Sequence, residues 1–412
     1  MKKSASASPR KAAAAPSVSA SARLPKGYLA SGVAAGLKAS GAPDMGLLFS
    51  DRPAAVAGVF TSNQVKAAHV RLDAQRIAEY GVAQAVVVNS GQANACTGKR
   101  GIADAKAVSA AAADALGIAP PLSLVCSTGR IGVPLDLSRM VPATARLASA
   151  LSPSGGEDFA RAIMTTDTRP KRFTAAFSVE GVPCRLTGFA KGAGMIEPNM
   201  GTMLAFLVTD AAVARPSLRP ALLAAVSRSF NRVSVDGDRS TNDTALLVSN
   251  AAASSVPLSP SHPDWPSFAA ALDEVCLRLA KAMAADGEGA TKMVTVNVSS
   301  ARSNRDADLA ARAVANSMLV KTSWAGTYPN WGRVMDALGY SPAAVNEAKV
   351  DILYDGVPAV KGGLSAGTPQ ARLEKILAKP AFTLDIRLHL GSGAATVYTC
   401  NCTEQYVVIN KD

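Results

Sequence analysis

Residues 191–204 read Lys-Gly-Ala-Gly-Met-Ile-Glu-Pro-Asn-Met-Gly-Thr-Met-Leu, and Thr202 is the residue in this stretch with the most chemistry open to it. Three glycines and a proline let the loop bend sharply and bring backbone close to a reacting group, because glycine has no side chain and tolerates positive φ. A threonine directly after Gly201, at the mouth of an apolar run, is placed to attack the carbonyl of the residue before it. That attack breaks the chain at Gly201–Thr202 and makes Thr202 a new N-terminus. Its hydroxyl then has a built-in base, since an α-amino group titrates near ~7.7–8.0 and takes the hydroxyl proton. The same residues also read as a threonine capping a strand in a glycine-rich turn.

Two strands must hold this loop. Residues 181–190 alternate weakly, and 203–208 form an apolar run as long as a fully buried strand. A third predicted strand, 122–126, delivers Ser127-Thr128-Gly129-Arg130. A Ser-Thr-Gly turn at a strand end can aim a hydroxyl and a backbone N–H the same way, which suffices for an oxyanion hole and equally describes an ordinary turn. Further strands are expected at 53–60 and 83–88, with a helix at 103–116 ending on Gly117. Ala162–Thr168 closes a helix-like stretch with a cluster of capping residues.

In the second half, 217–233 reads as an amphipathic helix. The oxygen-rich loop 235–244 does not follow the calcium-loop order, so it reads as a hydrogen-bonded loop, structural or lining a site. Phe268, Leu272, Val275, Cys276, Leu279 and Met283 share one helix face, which makes Cys276 a core residue. Glu288, between two glycines at a helix-to-strand junction, is free to turn into a cleft or to stay solvated. Val294, Val296 and Val298 alternate as a strand. The alternation of 382–390, the Gly391-Ser-Gly393 turn and the return at 394–398 predict a hairpin with His389 on its solvated face.

Composition narrows the class. The chain has 412 residues, 48% hydrophobic and 18% charged, enough for two lobes or one large α/β domain. No run of eighteen apolar residues offers a membrane span. The net charge of +12 includes seven lysines and arginines before the first acidic residue, Asp44, which leaves 12 − 7 = +5 for the rest. The body is mildly basic and carries no nucleic-acid motif. Residues 1–22, rich in Ser, Ala, Pro, Lys and Arg, cannot bury enough apolar surface to order themselves. They form a disordered basic tail or, since they are acid-free, an organellar transit peptide; without the latter the protein is cytoplasmic. Six scattered cysteines read as reduced thiols, and with no histidine beside Cys400 and Cys402 no metal site is expected. His69, His262 and His389 are far from any Gly-x-Ser-x-Gly elbow, and neither a Walker loop nor a dinucleotide fingerprint occurs. An activated threonine needs no cofactor.

The motifs together resemble the ornithine acetyltransferase family, the bifunctional glutamate N-acetyltransferases of arginine biosynthesis, from about Leu24 to the C-terminus. The stretches that carry the resemblance are 191–204, Asn89–Gly98, Thr165-Thr-Asp-Thr-Arg-Pro-Lys171, Glu288–Lys292 and Pro329-Asn-Trp-Gly-Arg333. It implies an α/β sandwich of the self-processing, N-terminal-nucleophile kind, with sheets flanked by helices. It also implies cleavage at Gly201–Thr202 into an α chain, 23–201 behind its tail, and a β chain, 202–412, assembled as an α2β2 heterotetramer. Thr202 would carry acetyl from N-acetylornithine to glutamate, with Thr128 and Gly129 as oxyanion donors. Thr165, with Thr166 as the alternative, Lys191, Glu288 and Asn410 would contact substrate; acetyl-coenzyme A is left open as a second donor.

The chain departs from the family at four places. Gly201 stands for an alanine, Arg130 for an apolar residue and Tyr328 for an acid, and the sequence stops a few residues short of a terminal Thr or Ser ligand. The last implies weaker substrate binding. Two rival readings are a self-cleaved aminopeptidase or amidohydrolase, with water as acceptor, and a tail-driven nucleic-acid or partner-binding protein.

Overall fold

The computed structural model describes residues 16–197 and 203–411. Residues 17–258 build one large sheet from β1 (Ser17–Ser19), β2 (Tyr28–Val33), β3 (Met45–Phe60), β4 (Val82–Gln92), β5 (Ser123–Arg130), β6 (Lys171–Val179), β7 (Val182–Lys191), β8 (Leu204–Val213) and β9 (Thr244–Leu258). Among the described residues the strand order is β1-β6-β7-β8-β9-β3-β4-β5, with β2 also on β3.

β3 is the strand that folds this sheet over. Its first part pairs with β2 and β4, its register breaks between Phe49 and Ala54, and its last part, 55–60, pairs with β9. Pro53 falls inside the break, where a residue without an N–H costs no ladder bond. Alternate side chains then point to two different layers. Val86, Val88, Leu124 and Cys126 from one half meet Phe189, Leu204, Phe206 and Val208 from the other in an inner core. Ala85, Val87 and Val125 face outward against helices Ala68–Tyr80, Gly98–Leu116 and Leu137–Ser149. Ala205 and Leu207 face outward on the opposite side against helices Arg215–Arg228 and Trp265–Ala284, where Cys276 is buried as expected. The result is two sheet layers sandwiched between helices, the α/β class the sequence pointed to. β8, buried along its whole length, carries no polar alternation because both its faces are covered.

A second sheet, β10 (Met293–Ala301), β11 (Asp351–Tyr354), β12 (Val357–Lys361), β13 (Leu364–Ser365), β14 (Ala381–Arg387) and β15 (Gly393–Cys400), has its own core around Trp324 and Tyr354.

Two expectations need correction here. The hairpin at 382–398 does not form: β10 lies between β14 and β15, parallel to the first and antiparallel to the second. Alternation marks two half-buried strands without saying which strand pairs with which. The connection crosses the end of β10, with Leu388 and Leu390 N–H donating to Ser299 O (3.0 Å) and Ser300 O (2.7 Å), and His389 is held by Asp351 (2.9 Å). Of the residues expected in the tail, Ser17–Ser19 form β1 and pair with β6 as an edge strand, while residues 1–15 lie outside the described residues. The backbone ladder of β1, with Val18 and Ala22 packed on the core and Ser21 O accepting from Thr174 Oγ1 (2.9 Å), supplies the order that composition could not reveal.

Candidate active site

A cleft of about 660 Å³ opens at the ends of β5 and β7. Parity along the strands fixes what faces it. Thr128 follows Leu124 and Cys126 on the inner face, and Lys191 follows Phe189. Both are buried, and Lys191 Nζ donates to Thr128 Oγ1 at 3.4 Å. An ammonium only donates, so the Thr128 hydroxyl keeps its own hydrogen for an acceptor in the cleft. Gly129 follows at φ +130°, paired with Gly91, and a Cβ there would sit 2.2 Å from the Gly91 carbonyl carbon, so no side chain fits. Arg130, solvent-exposed, lies on the rim.

Thr165 and Thr166 form another wall, held from behind by a buried ionic triad. Lys171 Nζ lies 2.6 Å from Asp167 and 2.5 Å from Asp286, with all three side chains buried. Asp167 also accepts the N–H of Thr165 (3.0 Å) and of Gly192 (2.8 Å), and Asp286 accepts the N–H of Thr168 (3.1 Å). Burial pushes the Asp167 carboxyl up, but Lys171, Lys191 and the Gly192 N–H outweigh it and hold it at about 2. Lys191 is pulled below its ordinary value by burial, against Asp167, with Lys171 adding to the fall and Glu288 and Asp243 opposing it.

Glu288, two residues beyond Asp286, is buried against the cleft, its N–H on Ala193 O (2.8 Å) and its carboxylate accepting from Asn410 Nδ2 (2.7 Å). A Cβ at Gly194 would be 2.4 Å from the Glu288 carboxyl carbon, so glycine is what lets this carboxylate lie there. Helix Glu404–Ile409 presents Asn410 at its end and Tyr406 within it; Tyr406 donates to Asp236 (3.2 Å). Asp236 in turn gathers the N–H groups of Met195 (2.5 Å) and Ile196 (2.9 Å), and burial raises its carboxyl against those bonds.

Gly201 and Thr202, the predicted cleavage pair, lie outside the described residues. Their described flanks are firmly tied. Glu197 accepts from Ser234 Oγ and Asn316 Nδ2, both at 2.9 Å. The Met203 N–H donates to the fully buried Asp243 (2.8 Å), whose carboxyl burial drives well above the ordinary range.

Thr128, Gly129, Thr165, Lys191, Glu288 and Asn410, spread over some 280 positions of sequence, therefore line one cleft. The loop 235–244 lines it too, through Asp236, Asp238, Ser240, Thr241 and Asn242. Asn330 of the Pro-Asn-Trp-Gly-Arg motif instead caps the helix Trp331–Gly339. Sequence reasoning missed Lys38, Tyr406 and the supporting triad. The spacing Asp167–Lys171, one helical turn in number but bridged by a proline loop, was the signal available for the triad. Among the described residues no group of three His, Cys, Asp or Glu could hold a metal, and no helix is long and apolar enough to cross a membrane.

A sandwich of two sheet layers between helices, with a lysine-braced hydroxyl and a carboxylate converging on one polar cleft, is the framework of an α/β enzyme. The family model described as "ArgJ family" matches residues 29–412, and the chain belongs to that family. It is 49% identical over 388 residues to the arginine biosynthesis bifunctional protein ArgJ of Geobacter sulfurreducens, covering 94% of this chain and 98% of that one. The protein of the same name from Caldanaerobacter subterraneus is 45% identical, over 94% of this chain and 96% of its own. Among solved structures, that of the arginine biosynthesis bifunctional protein argJ from Bacillus halodurans aligns with a TM-score of 0.47 at 38% identity, over 50% of this chain and 97% of that chain.

Proposed function

We propose that the protein is a self-processing acetyltransferase of arginine biosynthesis that moves acetyl from N-acetylornithine to glutamate. The observation that carries this reading is the Thr128 hydroxyl, braced from behind by Lys191 and left free to donate into the cleft that Glu288 and Asn410 also line. Thr202 attacks the Gly201 carbonyl, the resulting ester is hydrolysed, and the new α-amine serves as base for the Thr202 hydroxyl. That hydroxyl takes acetyl from the donor, giving an acetyl ester and free ornithine. Glutamate then enters, its amine attacks the ester, and N-acetylglutamate leaves. In each step negative charge collects on the acetyl oxygen, where Thr128 and the Gly129 N–H stabilise it. Lys191 suits a substrate carboxylate and Glu288 the ornithine ammonium, with Thr165 and Asn410 completing the contacts.

No cofactor enters these steps, and acetyl-coenzyme A is a second donor consistent with relatives named bifunctional. The active form on this reading is two α chains ending at Gly201 and two β chains of 412 − 201 = 211 residues, working in the cytoplasm. Intact mass and N-terminal sequencing of purified protein test it: the smaller species must begin Thr-Met-Leu. A chain that stays whole, or double-reciprocal plots that intersect rather than run parallel, would overturn it.

A further inference from the structure

Three cationic side chains line the cleft among the described residues: Lys38, Arg130 and Lys191. Lys191 is engaged with Thr128 and Arg130 is on the exposed rim. Lys38 has no part in the transfer chemistry above, yet its loop is built to hold it. Asp44, fully buried, accepts the N–H groups of Ala35 and Leu37 at 2.6 Å each and of Lys38 at 3.1 Å. This carboxylate wraps residues 35–44 around itself, and Gly36 makes the bend at φ +85°. The loop packs on Gly91, where an added Cβ would lie 3.3 Å from Leu37 Cβ, next to the Gly91–Gly129 pair. Lys38 Nζ then donates to Pro43 O (2.8 Å) and Met164 O (2.7 Å). An ammonium has three N–H bonds, so one remains for the cleft.

The two substrates of the proposed reaction share an α-carboxylate and differ at the side-chain end, ammonium in ornithine and carboxylate in glutamate. The Glu288–Asn410 wall favours the first and repels the second. A carboxylate in this cleft needs a cation of its own, because burying an unpaired charge is costly. We infer that Lys38 is the subsite for the side-chain carboxylate of the glutamate acceptor and so sets acceptor specificity, an inference that rests on the acetyl-transfer reading. Lys38 discriminates through a charge-assisted hydrogen bond that an acceptor without this carboxylate cannot make. Burial lowers its ammonium to about 8, with Lys191 acting in the same direction and Asp44 and Asp167 opposing, so the subsite loses its charge above that pH.

The test compares wild type with Lys38→Met, using N-acetylornithine as donor and glutamate or glutamine as acceptor. Wild type should favour glutamate over glutamine in kcat/KM by on the order of 10–100-fold, the worth of one hydrogen bond to a charged group. Lys38→Met should lose most of that preference through a higher KM for glutamate, with a smaller change in KM for N-acetylornithine. A preference that survives the substitution overturns the inference. An equal weakening of both substrates also overturns it, since Lys38 would then hold the shared carboxylate. Should Lys38→Met fail to fold, Lys38→Gln takes its place: its amide can still donate to the Pro43 and Met164 carbonyls without the charge, so the preference must fall, and a preference that survives refutes the inference. Wild type that moves no acetyl to glutamate sinks the acetyl-transfer reading, whereas normal transfer with an unchanged variant sinks only the role of Lys38.

Discussion

Replacing Lys171 by methionine probes the support behind the cleft. The lysine sits between two carboxylates at 2.6 and 2.5 Å with 1% of its side chain exposed, so its removal leaves Asp167 and Asp286 buried and facing one another with only the less direct cations Lys191 and Arg169 (3.9 Å from Asp286) to offset them. Breaking a buried pair in this way costs about 3–5 kcal/mol, far more than an exposed pair is worth. At roughly 2 °C per kcal/mol, the melting temperature should fall by about 6–10 °C. The triple change Lys171→Met, Asp167→Asn, Asp286→Asn removes all three charges together, keeps acceptors for the N–H groups of Thr165, Thr168 and Gly192, and should recover most of the loss. Asp167 also predicts how the site responds to acid. Its folded value of about 2 lies below its ordinary 3.8, so its contribution is present above ~3.8 and is lost as pH falls toward ~2. That shift is worth on the order of 2 kcal/mol, which Asp167→Asn should remove from the acid limb of the stability curve. Thermal and urea unfolding of the purified protein between pH 2 and 7 measure both effects. A Lys171→Met protein within ~1 kcal/mol of wild type would refute the claim that the triad is an interdependent ionic unit.

Thr128→Val keeps the shape of an oxyanion donor without its hydrogen, and kcat for acetyl transfer should drop ~100–1,000-fold, with only a few degrees lost in melting temperature because Lys191 loses its 3.4 Å acceptor; unchanged kcat would remove Thr128 from the chemistry. Gly129→Ala puts a methyl into the Gly91 backbone at φ +130°, so soluble yield and activity should both collapse, and a well-folded active variant would contradict the geometry. Glu288→Gln should raise KM for N-acetylornithine on the order of tenfold or more in steady-state assays, with less effect on the glutamate half-reaction. His69 is buried and neutral, held by burial near 4 against the Asn242 carbonyl, well below its ordinary 6.5. The unfolded chain therefore binds its proton first as pH falls from 6.5 toward 4, and about 3 kcal/mol of stability goes with it. His69→Gln should flatten that part of the curve in urea unfolding; an unaltered slope would show that His69 does not titrate there.

The linear sequence determined what depends on local order. Apolar runs such as Val86-Val87-Val88 and Leu204–Val208 specify strands wherever they are placed, and Gly117 stops a helix whatever surrounds it. The cleavage proposed at Gly201–Thr202 would also be a local matter, because the attacking hydroxyl and the carbonyl under attack belong to adjacent residues. Pairing was different. The strict alternation at 382–390 gave a strand but not its neighbour, since the insertion of β10 between β14 and β15 depends on a segment some 90 residues away. Lys38, Lys171 and Tyr406 look like ordinary surface residues in the chain. They acquire a role only when the fold surrounds Lys38 with main-chain carbonyls, Lys171 with Asp167 and Asp286, and Tyr406 with Asp236. A side chain's type is fixed by its codon, but its partners, its burial and hence its charge state are properties of the packed chain, and those were decided by the tertiary structure alone.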